Sequence, residues 1–191
     1  GHITWDQYLE LGVIKAIELL RSEPSIAYAE PDYEVKAIAI PNDPSFSQLY
    51  GMYNIGQSGG TVDADIDATE AWDRHTGARN IRIGIIDTGI DYLHPDLAAN
   101  IWTNPGEIPG NGIDDDHNGF IDDIRGWDFC NDDSDPMDDH YHGTHCAGTI
   151  AGVGNNGIGV AGVMWNASLV ALKFLSSGGS GSLSDAVDAV N

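Results

Sequence analysis

The sequence predicts an α/β domain built on a mainly parallel sheet, and three observations carry that prediction. Residues 81–86, Ile-Arg-Ile-Gly-Ile-Ile, are mostly apolar and β-branched over strand length, the pattern of a strand covered on both faces. Residues 167–175, Ala-Ser-Leu-Val-Ala-Leu-Lys-Phe-Leu, form a second such run. Helical patterns follow each strand: a run of small residues from Gly143 to Gly152, and a helix starting at Ser182 or Leu183 with Ala186, Val187 and Val190 as its apolar face. Strands that alternate with helices pair in parallel.

Three regions follow in order. In residues 1–40, Val13, Ala16, Ile17 and Leu20 recur at helical spacing with Lys15, Glu18 and Arg21 between them, which predicts a short amphipathic helix. Pro24 ends it, and Ile26-Ala27-Tyr28-Ala29 reads as a strand before Glu30-Pro31-Asp32-Tyr33. From Pro41 to Asn80 turn signals dominate, and residues 68–72, Ala-Thr-Glu-Ala-Trp, form a short helix. The α/β core then occupies the rest of 41–191.

Two motifs in that core are set for chemistry. Asp87-Thr88-Gly89 directly follows the first strand, at the carboxyl end where open α/β sheets place ligands. His142-Gly143-Thr144-His145 opens the small-residue helix. An Asp that orients an imidazole, with the His as general base, makes two-thirds of a nucleophilic triad. Together the motifs resemble those of the subtilisin-like serine proteases, the subtilase family, over residues 41–191. That resemblance implies a subtilisin-like three-layer fold, of which the N-terminal half is present, and an Asp-His-Ser endopeptidase. It implies Asp87 and His142, not His145, as triad members. The family's Gly-Thr-Ser-Met-Ala-type serine motif does not occur in these residues, so the chain is expected to be a fragment, inactive by itself. Residues 1–40 resemble the C-terminal part of the family's α+β, inhibitor-like propeptide, which implies a zymogen held by an intramolecular inhibitor.

Composition sets the boundaries. Eight Lys+Arg against 30 Asp+Glu give a net charge of −22, which argues against nucleic acid or an anionic membrane as partner. No apolar run reaches the roughly 18 residues of a membrane span. The expected protein is secreted and monomeric, acting on peptide or protein substrates. Its two cysteines, Cys130 and Cys146, make no disulfide framework. Cys146 falls about one helical turn after His142, and the resemblance reads it as a packing residue.

Between Asn111 and Asp139 stand 11 Asp, no Glu and one base, Arg125. Asp114-Asp115-Asp116-His117-Asn118-Gly119 matches the first half of a calcium loop, D-x-[DN]-x-[DN]-G. The twelfth position is Arg125 instead of Glu, so a calcium site is expected without an EF-hand, with Asp122 or Asp123 supplying the missing carboxylate. The ligand set is Asp114, Asp116, Asn118 and Asp122. Residues 127–135 resemble a thermitase-like calcium loop, which implies Asp128, Asn131, Asp133 and Asp135. A third site is implied by the family: Asp43, Asp96 and Asn156 through side chains, and Gly154, Ile158 and Val160 through carbonyls. Oxygen ligands suit calcium, whereas zinc favours His and Cys. His140, His142 and His145 do not share a helical face and are not read as a zinc site.

Finally, Gly179-Ser180-Gly181 matches the family's extended edge against which a peptide substrate pairs, with Leu175, Leu183 and Ala186 lining a pocket beside it. The alternative from another class is a non-catalytic, calcium-dependent binding or structural protein on the same fold.

Overall fold

The computed structural model describes residues 12–31 and 39–191, which fall in two compact units divided between positions 37 and 38. In the first, α1 (Val13–Ser22) forms as the periodicity predicts, with Ile17 buried. The strand expected at 26–29 does not form. Ile26 N–H turns back to the Glu23 carbonyl, and the Ala29 carbonyl is taken by Arg21 Nε at 2.7 Å. No described strand stands beside it to supply a ladder. Asp32 and Tyr33 of the Glu-Pro-Asp-Tyr ending lie outside the described residues.

The second unit carries a three-stranded parallel sheet of β1 (Gly77–Asp87), β2 (Gly126–Asp128) and β3 (Asn166–Lys173), in the order β1-β3-β2. The short β2 was not anticipated, because its residues read as part of an acidic loop. Burial along β3 alternates strictly, with Ala167, Leu169, Ala171 and Lys173 inside. β1 departs from the expectation of cover on both faces. Ile85 is buried and Ile83 packs on the same core, yet Ile86 is 36% and Ile81 47% exposed. β1 is an edge strand, and no described element covers its other face.

Helices α2 (Ala68–Trp72) and α3 (His142–Ala151) form where the patterns put them. Ala147 and Ala151 of α3 share one core cluster with Ile85, Ile90, Leu97, Leu169 and Ala171. Small residues on α3 permit this close packing against the sheet. A second cluster gathers Phe46, Met52, Ala68, Trp72 and Ala161, and Trp72 Nε1 donates to the Val163 carbonyl at 2.9 Å. The last helix, α4 (Leu183–Asp188), is capped by Ser182, whose hydroxyl accepts from Asp185 N–H. Its expected apolar face is turned outward: Val187 is 50% and Val190 73% exposed. Six residues with no described partner element leave that face without cover.

Candidate active site and acidic loops

All three strands end in register, with Asp87, Lys173 and Asp128 side by side across the ladder. His142 stands at the first position of α3 and brings its Nδ1 within 2.8 Å of both Asp87 carboxylate oxygens. A carboxylate only accepts, so Nδ1 is the donor, and in the neutral imidazole this tautomer leaves the lone pair on Nε2. No described serine hydroxyl bonds that Nε2. Two glycines make the approach possible. A Cβ on Gly143 would fall 2.1 Å from the Gly89 carbonyl oxygen, and Gly89 itself turns at φ +99° with Pro136 against it. A larger residue at 143 would push α3 away from the end of β1, and one at 89 would displace the segment 136–138.

Asp138, which sequence reasoning did not single out, holds this arrangement together. Its Oδ1 accepts from Thr88 Oγ1 at 2.8 Å and from the N–H groups of His140 and Tyr141. Its Oδ2 accepts from Thr144 N–H and Thr144 Oγ1. Thr88 Oγ1 in turn accepts from Gly143 N–H at 2.9 Å. One carboxylate therefore ties the residue after Asp87 to the first turn of α3. Burial alone would raise its pKa, but the bonds from Thr144, His140 and Thr88 hold it below the usual carboxylate range. The residue before His142, Tyr141, has φ 94°, a strained backbone for a bulky side chain beside a candidate site.

Lys173 is the second group that was missed. It is 1% exposed and donates to the Thr88 carbonyl at 2.9 Å, the Leu175 carbonyl at 2.9 Å and Asp139 Oδ1 at 2.6 Å. A buried ammonium is tolerable only when its donors are satisfied, and here they join the ends of β1 and β3 to the segment before α3. The signal was available: Lys173 is in phase with Ala167, Leu169 and Ala171.

Of the predicted acidic sites, the loop at 114–119 converges, with different members. Glu107, Asp114 and Asp116 bring ligand oxygens within 4.8 Å of one another. Glu107 is buried and accepts from the N–H groups of Asp115, Asp116 and Asp122. Asp122 is not in the group. Its oxygens are occupied by Gly110, Asn111 and Gly112 N–H, which close a separate turn. Asn118 instead donates to Asp123, whose pKa is raised by burial and by the charges of Asp116 and Glu107. Arg125 does not relieve the repulsion: its guanidinium lies 4.5 Å from the centre of the Tyr92 ring. Tyr92 itself, pushed up to about 12 by burial and its bond to Asp135, stays a neutral donor.

The loop at 128–135 does not converge. Asp128 caps Cys130 and Asn131 N–H and binds Asn131 Nδ2, Asp133 accepts from Asp135 N–H, and Asp135 binds Tyr92. Asp128 and Asp133 serve the turn itself, and Asp135 holds Tyr92. In the third set, the two aspartates each reach the loop at 155–160 through N–H donors. Asp43 accepts from Asn155 and Asn156 N–H, and Asp96 accepts from Asn156 Nδ2 and Val160 N–H. Asn156 Oδ1 is taken by Ile158 N–H, and Gly154 lies against the Trp165 ring. Both aspartates are buried, at 4% and 2% exposed, without a Lys or Arg partner among the described residues. Buried carboxylates with no cation, presenting only oxygen, fit a hard divalent ion.

The expected substrate edge is not extended. Ser176 N–H and Oγ both donate to the Ser180 carbonyl, and Gly179 turns at φ +70°, so 176–180 is a closed turn. A Cβ on Gly181 would meet the chain's own Phe174 carbonyl at 2.0 Å, so the glycine serves the fold before any ligand. Leu183 is 81% exposed. A cavity of about 840 Å³ lies instead against α3, lined by Leu49, Met52, His94, Tyr141, His145 and Ala161 among others. His145 lines this cavity and makes no hydrogen bond to the dyad, while His140 stacks on Tyr141.

A match to the subtilase family, peptidase S8, covers residues 78–191 and so takes in β1, α3 and β3. The chain belongs to the subtilase family. It is 52% identical over 105 residues to subtilisin-like protease 1 of Plasmodium vivax, covering 54% of this chain and 17% of that one. It is 36% identical over 183 residues to the thermophilic serine proteinase of Bacillus sp. (strain AK1), covering 95% of this chain and 38% of that one. A solved protease structure from Pseudoalteromonas arctica shares the fold at a TM-score of 0.58 and 31% identity, over 80% of this chain and 43% of that one. This subtilase chain thus spans well under half the length of these relatives. Among its described residues no helix is long and apolar enough to cross a membrane.

Proposed function

We propose that the full-length protein is a secreted serine endopeptidase in which Asp87 orients His142 as general base. The observation that carries this reading is the pair of 2.8 Å contacts from His142 Nδ1 to Asp87, made at a strand end by the first residue of a helix. The nucleophilic serine comes from a segment outside these 191 residues. Nε2 takes its hydroxyl proton as the oxygen attacks a peptide carbonyl, then returns the proton to the leaving amine. Asp87 keeps the tautomer and stabilises the imidazolium. Residues 1–40 act as the tail of an inhibitory propeptide, and 41–191 as the N-terminal half of the catalytic domain. Glu107, Asp114 and Asp116, and separately Asp43, Asp96 and Asn156, would hold calcium, which would neutralise their charge and fix the loops.

In the full-length protein, a fluorophosphonate probe should label one serine, and His142→Ala should reduce kcat/KM by about 10⁴-fold or more. His145→Ala should act through stability and keep kcat. Labelling that is absent, with calcium-dependent melting intact, would instead favour the non-catalytic calcium-binding alternative.

A further inference from the structure

Below the imidazole, on the side away from Nε2, lies a third potential ligand that the proposed chemistry does not use. Cys146 Sγ is 3.8 Å from His142 Nδ1, and the thiol is unpaired and half-buried. Asp87, His142 and Cys146 together present one oxygen, one nitrogen and one sulfur within 4.8 Å of one another. This is a different donor set from the acidic loops. Those offer hard oxygens alone; this one offers the imidazole and thiolate that zinc selects.

The spacing suits one ion. With bonds of about 2.3 Å to sulfur and about 2.0–2.2 Å to nitrogen and oxygen, tetrahedral edges are about 3.4–3.6 Å. The observed Sγ–Nδ1 distance of 3.8 Å and Nδ1–carboxylate distance of 2.8 Å differ from these by well under an ångström, which side-chain rotation supplies. His142 is exposed and the other two are half-buried, so an ion can enter from solvent and keep a water as its fourth ligand.

We propose that Asp87, His142 and Cys146 form an inhibitory zinc site that switches the dyad off. Zinc takes the Nδ1 lone pair, so the imidazole proton moves from Nδ1 to Nε2, and the thiol releases its proton to solvent. The complex of Zn²⁺ with one carboxylate, one thiolate and one neutral imidazole carries no net charge. Nothing is oxidised or reduced. With its proton on Nε2, His142 no longer accepts from a serine hydroxyl, and Asp87 no longer orients it. The helix makes the site possible: Cys146 follows His142 by four residues, so both side chains stand on one face of α3.

This effect on hydrolysis rests on the role proposed above for His142, but the site itself does not. The experiment uses full-length protein in millimolar calcium, so that hard-oxygen loops are filled. Cobalt(II) is added as a spectroscopic stand-in and should give a thiolate-to-metal charge-transfer band that zinc abolishes and that Cys146→Ala and His142→Ala both lack. Zinc should inhibit peptide hydrolysis, and Cys146→Ala and Cys146→Ser should each raise the half-inhibitory zinc concentration at least tenfold. A missing band, or one retained in Cys146→Ala, overturns the site. Equal zinc sensitivity in wild type and both cysteine variants overturns the switch. A normal band in a protein with no peptidase activity supports the site and overturns only the reading of His142 as a base.

Discussion

Around the strand ends, carboxylates are met by an imidazole, hydroxyls and an ammonium as well as backbone N–H groups; around the loop at 107–123 they are met by backbone and amide N–H groups alone and converge on one another. Asp87 has His142 and Thr88 N–H, Asp138 has two side chains and three backbone N–H groups, and Asp139 has buried Lys173. Glu107, Asp114 and Asp116 converge with no Lys or Arg among the described residues, and Arg125 is committed to Tyr92. The first arrangement is complete within the protein. In the second, three carboxylates at short range repel by kilocalories even at an effective dielectric of about 20, and a divalent cation would remove that cost.

The largest test of this contrast is metal removal. In the full-length protein, millimolar calcium at about 1,000 times its Kd adds about 4 kcal/mol. Chelation should therefore lower Tm by about 5 °C, measured by calorimetry with and without calcium. Identical melting curves would make the acidic loop an ordinary solvated surface and end the comparison. Asp138→Asn addresses the other side. Replacing Oδ2 by an amide turns a donor toward Thr144 N–H and should cost about 2 kcal/mol at neutral pH, in calcium and in chelator alike. Because the folded pKa of Asp138 is lowered, the wild-type advantage is full above the unfolded-chain value of about 3.9. It fades as pH falls through the lower folded value, so denaturant titrations should converge in acid and separate at neutrality. An advantage that grew on acidification would refute the donor account. The smallest effect should come from Glu107→Gln: about tenfold weaker calcium binding, or about 1.4 kcal/mol less stabilisation at a fixed calcium level. Because the amide also turns a donor toward one of the N–H groups that Glu107 holds, the variant should lose stability in chelator as well; a loss no larger in calcium than in chelator would show that Glu107 acts through its turn bonds alone.

Much of this was legible in the sequence where the physics is local. Apolar runs of strand length placed β1 and β3, small residues at helical spacing placed α3, and Ser182 capped α4. The Asp87-Thr88-Gly89 and His142-Gly143-Thr144-His145 motifs named the dyad, because each sits at the junction of an element whose period can be read directly. What the sequence left open depended on chain segments meeting from a distance. Asp122 and Glu107 show it best. The D-x-[DN]-x-[DN]-G spacing favoured Asp122, yet its carboxylate closes the turn at 110–112, and Glu107 enters from an upstream segment with no spacing signal. Likewise, the Gly/Ser cluster near Gly179 signals a loop or turn only generically, and one hydrogen-bond choice at Ser176 decides that the turn closes. Lys173 is the intermediate case: strand alternation set its burial, but only the in-register ends of β1, β2 and β3 brought its ammonium to the carbonyl beside Asp87. Periodicity determined which elements exist and which side chains stand at their ends; loop closure and sheet register, whose hydrogen bonds join residues far apart in the chain, decided which of those side chains meet.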